Sequence, residues 1–190
     1  MLELTELIGK GATRECYAHP FDKEKCVKVF QNPQKARNAF LEELDVYNKV
    51  HPILGNFICH YGSELVETNK GLGLISELIK DDDGKISKPL VSYVISGQMV
   101  PQIAQEINKF SQLLQENDLF FYDFNLMNFV VQKKGKTYRL CYIDMKSYNN
   151  YKSWSFLGLE QISKPIARYI VHRRLKRMYE LLHLEMPKKK

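Results

Sequence analysis

Asp123 and Asn128 stand five positions apart in Tyr122-Asp123-Phe124-Asn125-Leu126-Met127-Asn128, and Asp144 closes an apolar run further along the chain. Hard oxygen donors of this kind suit Mg²⁺, which takes one or two carboxylates together with phosphate oxygens. Earlier, Gly9, Lys10 and Gly11 break two strand-like runs, Lys28 lies within Cys26-Val27-Lys28-Val29, and Glu43 follows in a segment of helical spacing. Glycines let backbone N–H groups approach phosphate, a strand lysine neutralises it, and a helix carboxylate fixes the lysine. Singly, each has a plainer role: a solvated lysine, an exposed helix carboxylate, an Asx cap or a hairpin glycine. Independent structural roles have no reason to fall in this order at spacings that converge on one cleft.

The elements must bring these groups together. Residues 6–9 and 14–19 read as strands around a glycine turn, and 26–30 reads as a third after Pro20-Phe21-Asp22-Lys23. Pro33 opens a segment with Phe40, Leu44 and Tyr47 on one helical face, predicted to end before Pro52. Two more strands are expected at 57–66 and 71–76, then a charged, glycine-containing linker at 79–84. Over 100–117, Ile103, Ile107, Phe110 and Leu114 form one buried helical stripe. A loop over 119–128 leads into a hairpin, with strands at 129–131 and 138–143, that leaves Asp144 just past its end. The last helix, 165–184, sets Val171, Leu175, Met178 and Leu182 on one face and Arg168, Arg173, Arg174, Lys176 and Arg177 mostly elsewhere. Lys188, Lys189 and Lys190 read as a disordered end. The sum is an α+β chain: an antiparallel β amino lobe with one helix over 1–79, and a reduced, mostly helical carboxyl lobe over 80–190, together one domain.

The run Ile8 to Tyr17, with Lys28 on the next strand and Glu43 on the following helix, resembles the amino lobe of protein kinases. Asp123-x-x-x-x-Asn128 followed by Ile143-Asp144 resembles their catalytic loop and metal-binding aspartate. The resemblance implies a minimal kinase-like two-lobe fold with ATP between the lobes. Lys28, paired with Glu43, would orient the α/β-phosphates, Asp123 the acceptor hydroxyl, and Asn128 with Asp144 would hold Mg²⁺. It further implies that Gly9, Lys10, Gly11 and Arg14 face the phosphates. Glu77 and Ile79 would hold adenine through their backbone, Ser76 would gate it, and Cys16, Cys26 and Val130 would sandwich the base. Four departures are visible: Arg14 at the third glycine position, Phe121-Tyr122 for His-Arg, Asn125 for a lysine, and Met145-Lys146 for Phe-Gly.

Among kinase-like folds the chain is similar over nearly its whole length to the small bacterial YrbL-type family of PhoP regulatory network proteins. The matching residues are Gly9, Gly11, Arg14, Cys16-Tyr17, His19-Pro20, Cys26-Val27-Lys28-Val29, Glu43, Tyr47, Gly71-Leu72-Gly73-Leu74, Asp81-Asp82-Asp83-Gly84, Tyr122-Asp123, Asn128 and Ile143-Asp144. This resemblance implies ATP-dependent phosphotransfer and specifies no acceptor.

Composition narrows the field. At 44% apolar, the chain can fill one core or two small lobes. No window reaches the roughly 18 apolar residues of a membrane span, and MLELTELIGK lacks the order of a secretory signal, so a cytoplasmic address is expected. Cys16, Cys26, Cys59 and Cys141 stand singly and read as reduced, buried thiols. The net charge is +6, yet residues 161–190 carry nine Lys/Arg against two Glu, leaving the remainder at −1. Basicity confined to one helix disfavours nucleic acid as the partner and admits an acidic or phosphate-rich surface. With 46 residues after Asp144, too few for the helices that form a peptide groove, a small molecule or lipid-linked sugar is expected as acceptor over a protein hydroxyl. The departures keep an ATP-binding pseudokinase as the alternative, and a basic nucleic-acid-binding protein as a weaker one.

Overall fold

The computed structural model describes residues 1–11, 13–30, 32, 36–148 and 163–187. The segments expected to begin at Pro33 and to end at Lys188-Lys189-Lys190 therefore lie partly outside the described residues. The chain divides into two compact units, Met1–Lys49 with Cys59–Ile86, and Val50–Ile58 with Ser87–Lys190.

In the first unit, β1 (Leu7–Lys10), β2 (Arg14–Ala18), β3 (Lys25–Phe30), β4 (Tyr61–Thr68) and β5 (Gly71–Glu77) form one antiparallel sheet in the order β1-β2-β3-β5-β4. Side chains alternate between the two faces of a strand, and both faces of this sheet are used. Tyr17, Val27 and Val29 pack with Leu4 on one side, flanked by Leu2, Val66 and Ile75. On the other side Ala36, Phe40 and Leu44 of α1 (Ala36–Leu54) cover Leu74, Phe30, Tyr61, Leu65 and Leu72. Phe40 is fully buried, and a phenylalanine so placed contributes about 1.5–3 kcal/mol of transfer free energy. Gly73 is required by crowding, because a Cβ there would lie 2.5 Å from Val27 Cγ1.

Two expected boundaries move. The helix does not stop before Pro52 but carries it in its last turn, and a 3-10 turn follows at Gly55–Phe57, with Gly55 in the left-handed region at φ 49°. The strand expected from residue 57 begins at Tyr61, because Ile58 bridges to Tyr142 in the second unit's own structure.

The second unit holds a three-stranded antiparallel sheet of β6 (Lys88–Pro89), β7 (Phe129–Lys134) and β8 (Thr137–Tyr142), with α2 (Leu90–Ile95), α3 (Pro101–Glu116) and α4 (Lys164–Leu181). Pro101 opens α3 at a position where its missing N–H costs nothing. The expected stripe of Ile103, Ile107, Phe110 and Leu114 is buried, and Phe110 meets Phe57, Phe129 and Tyr142 at ring distances of 5.9, 5.5 and 5.8 Å. Val171, Leu175, Met178 and Leu182 are likewise buried. Two polar attachments set the register of α4: Tyr179 Oη donates to Asn108 Oδ1 at 2.7 Å, and Arg168 forms a two-pronged pair with Asp118 at 2.8 and 2.7 Å. The described residues make a mixed α+β protein with two antiparallel sheets and four α-helices. No described helix is long and apolar enough to cross a membrane.

Candidate functional site

In the first unit the strand register places most of the expected residues on one face. Arg14 stands opposite Phe30, Cys16 opposite Lys28, Lys28 opposite Leu74, and Cys26 opposite Ser76. This is the face that α1 covers, so Glu43, 1% exposed, points from the helix toward Lys28 and Arg14.

The expected direct pair of Lys28 with Glu43 is not formed. Lys28 Nζ donates to Tyr61 Oη at 3.1 Å, and Tyr61 Oη donates to Glu43 Oε1 at 2.6 Å. The ammonium also lies 4.6 Å from the Tyr61 ring centroid, within reach of a cation–π attraction. The other carboxylate oxygen, Oε2, is held by the Arg14 guanidinium, which stacks on Phe30 at 4.6 Å and Phe40 at 5.5 Å. Arg14, expected at the phosphates, is thus committed to Glu43. The reason is local: β2 register puts it beneath α1, where only a carboxylate partner makes its burial tolerable.

The surroundings perturb these groups strongly. Burial works against the Lys28 charge, but the acidic groups of Cys59, Glu43 and Cys26 outweigh it and hold its pKa above the ordinary lysine value. Burial, reinforced by Glu43, raises the Tyr61 phenol well above its usual range. Cys26 Sγ sits 3.2 Å from Ser76 Oγ; the Cys16 thiol beside it, then Lys28 and Ser76, pull it down to about 6. Cys16 is pushed up by that same contact and by burial. All four cysteines are free thiols, three of them buried and Cys16 half-buried.

The other expected groups of this unit lie at the sheet's ends. Gly11 N–H donates to Arg14 O at 2.8 Å, closing the first hairpin, and Lys10 pairs with Glu15 at 3.0 Å. No atom lies within 4 Å of a Cβ built on Gly9, and one on Gly11 meets only Arg14 O at 3.6 Å; neither packing nor a left-handed backbone requires glycine at either position. Glu77 is fixed to His60 twice, its N–H donating to the His60 carbonyl at 2.7 Å and its Oε2 accepting the His60 N–H at 3.1 Å. Leu78 N–H donates to Glu24 O, while the Ile79 N–H has no acceptor among the described residues.

The second unit assembles Asp123, Asn128 and Asp144. Asp123 Oδ1 accepts the Asn125 N–H at 2.9 Å, and Asn125 Oδ1 accepts the Met127 N–H at 3.0 Å, capping a 3-10 turn at Leu126–Asn128. Asn125, which replaces the lysine of the kinase pattern, is therefore a turn cap. Ile143 N–H donates to the Asn128 carbonyl at 2.9 Å, so the two ends of the hairpin bring Asn128 and Asp144 alongside one another. Tyr142 binds both flanks of this arrangement: its Oη donates to the Asp123 carbonyl at 2.7 Å and lies 2.6 Å from Ser147 Oγ. Tyr122 N–H donates to Ser147 O at 3.2 Å. Asp123, Asp144, Lys146, Tyr122, Ser147 and Arg174 line one cavity of about 300 Å³. Val130 is half-buried on β7 between Pro89 and Cys141.

Sequence reasoning missed Tyr61, Tyr142 and Ser147, which connect the expected residues. Tyr142 is the last residue of a strand that was expected, yet nothing in its spacing marks a hydroxyl aimed at a backbone carbonyl two elements away. No group of three or more His, Cys, Asp or Glu able to hold a metal occurs among the described residues. Asn128 and Asp144 carry oxygen donors of the kind Mg²⁺ takes together with phosphate and water.

By fold and site this is a mixed α+β protein with acidic and amide groups gathered at one hairpin and a lysine–tyrosine–carboxylate chain between its larger sheet and α1. The chain belongs to the PhoP regulatory network protein YrbL family, whose model matches residues 1–184. It is 30% identical over 125 residues to "Uncharacterized protein YrbL" of Escherichia coli (strain K12), and equally to the protein of that name from Shigella flexneri; each alignment covers 62% of this chain. The chain spans 59% of the length of these curated relatives.

Proposed function

We propose that the protein is an ATP- and Mg²⁺-dependent phosphotransferase with a protein-kinase-like fold. The observation that carries this reading is the hairpin end, where Asp123 and Asp144 share one cavity and Asn128 lies beside Asp144. Mg²⁺ bound there would neutralise phosphate oxygens. Asn128 and Asp144 supply two of its ligands, and exposed Asp123 accepts a proton from the acceptor hydroxyl. In the first unit, the glycines at 9 and 11, for which the fold has no need, leave room for phosphate, while Lys28 supplies a half-buried ammonium. The Ile79 N–H, which has no acceptor among the described residues, would donate to adenine. Positioning and charge neutralisation account for most of such a reaction.

Isothermal titration with Mg²⁺ and a non-hydrolysable ATP analogue, together with transfer from γ-labelled ATP into lysate fractions, tests this. Asp144→Ala should abolish Mg²⁺-dependent nucleotide binding, whereas Asp123→Ala should leave binding intact and lower the rate by roughly two to four decades. Full turnover in both variants sinks the assignment.

A second reading, an ATP-binding pseudokinase, rests on Tyr61 and Arg14. With Glu43 satisfied by these two, Lys28 is held by a phenol instead of by the helix carboxylate. That reading predicts nucleotide binding with no labelled product.

A further inference from the structure

A cavity of about 820 Å³ in the second unit opens beside Asp123 and is walled on one side by α4. Arg173, Arg174 and Arg177 all face it, together with Tyr169, Ile170, Met178 and Leu181 of the same helix. These positions recur at three- and four-residue steps and so form one helix face, next to the buried stripe that seats α4. Leu126 and Val91 supply further apolar surface.

The arginines are the informative feature. Arg168, one turn earlier, is neutralised by Asp118. Among the described residues Arg173, Arg174 and Arg177 form no ion pair, and Arg174 lies 5.6 Å from the Tyr122 ring centroid. Like charges at i,i+3 and i,i+4 cost a helix a few tenths of a kcal/mol each. Guanidinium groups stay protonated and match phosphate oxygens two at a time. A cavity of this volume is in the range of small-molecule sites, larger than an inorganic anion needs, and its apolar wall suits a carbon skeleton.

We propose that this cavity is the acceptor site and that its three arginines select a hydroxyl compound already carrying a phosphate ester, such as a sugar phosphate. The proposal rests on the phosphotransfer reading for its chemistry. The acceptor hydroxyl oxygen forms a bond to the γ-phosphorus of ATP as the bond to the β,γ-bridging oxygen breaks; ADP leaves with that electron pair, and the hydroxyl proton passes to Asp123. The anchoring phosphate is untouched and serves only to aim the hydroxyl.

The test is equilibrium binding of inorganic phosphate, a hexose monophosphate and the free hexose to the full chain at fixed ionic strength. The hexose monophosphate should bind at least tenfold tighter than the hexose. The double variant R173Q/R177Q should lose at least tenfold in that affinity, whereas Lys176→Gln, exposed on the same helix but outside the cavity lining, should lose none. Both replacements are at exposed positions, so melting curves should show the variant as well folded as the parent. Unchanged affinity in R173Q/R177Q, or displacement of the sugar phosphate by duplex DNA at equal phosphate concentration, overturns the proposal. Asp144→Ala separates the two readings, since it should remove Mg²⁺-ATP binding and leave the sugar phosphate bound. Arginine-dependent sugar phosphate binding without any ATP binding in the parent protein would refute the acceptor role and the phosphotransfer reading together. Arginine-independent binding would refute this proposal alone.

Discussion

Tyr61 joins a half-buried cation to a buried anion through one hydroxyl, and its removal isolates both. Tyr61→Phe keeps the ring over Lys28 but deprives Nζ of its acceptor and Glu43 Oε1 of its donor. We expect roughly 1–3 kcal/mol of lost stability, measured by urea unfolding. Arg14→Met should cost more, about 3–5 kcal/mol, because it strands a buried carboxylate, and Glu43→Gln on top of it should restore part of the loss. An additive double mutant would argue against the pair. For Cys26, lowered to about 6 by Cys16, Lys28 and Ser76, thiolate absorbance at 240 nm should rise in a step near pH 6 that Cys26→Ser removes. The sign follows from the direction: a thiol lowered on folding stabilises the native state above the ordinary thiol pKa, and this contribution fades as pH falls through about 6. If nucleotide covers this face as proposed, ATP should also slow alkylation of half-buried Cys16 and of Cys26.

At the scale of elements, the closest packing lies between β3 and β5. Gly73→Ala would drive a methyl group into the stiff, fully buried Val27 side chain, and we expect a loss of about 1–3 kcal/mol, seen as a lower urea midpoint with unchanged slope. The glycine was legible in sequence as one of a pair in Gly71-Leu72-Gly73-Leu74; its reason was not, since that depends on which strand lies beside β5. The same limit governs the candidate site. Lys28, Glu43, Asp123, Asn128 and Asp144 could be picked out because their order and spacing along the chain resemble the protein-kinase pattern. The partners of Glu43 could not, because they depend on the register of β2 and on β4 starting at Tyr61, four residues later than expected. The six-residue α2 and two-residue β6 escaped notice, being shorter than the period that would reveal them. Pro52 misled because a proline in a helix's final turn removes little that a free end has not already lost.

Over the whole molecule, each unit holds one phenol whose pKa lies well above the ordinary tyrosine value. Tyr61 is raised by burial and Glu43; Tyr142 is raised by burial, then by Asp144 and Asp123. An unfolded phenol ionises near pH 10. Stability from both groups is therefore complete below about pH 10 and is lost as pH climbs toward the folded values. Absorbance at 295 nm should show at least two of the 11 tyrosines titrating only as the protein unfolds. A native titration in which every phenol ionises near pH 10 would contradict their burial. The charge distribution makes a second demand at this scale: association with polyanions should trace to residues 161–190 and weaken steeply with salt.

Tyr142 fastens the loop that carries Asp123 to the turn that follows Asp144. Two acids with different proposed duties thereby share a single mooring. Neither can drift without tugging the other, so selection acting on the hairpin's final residue adjusts proton acceptance and metal holding as one trait, and a variant that loosens one will loosen both.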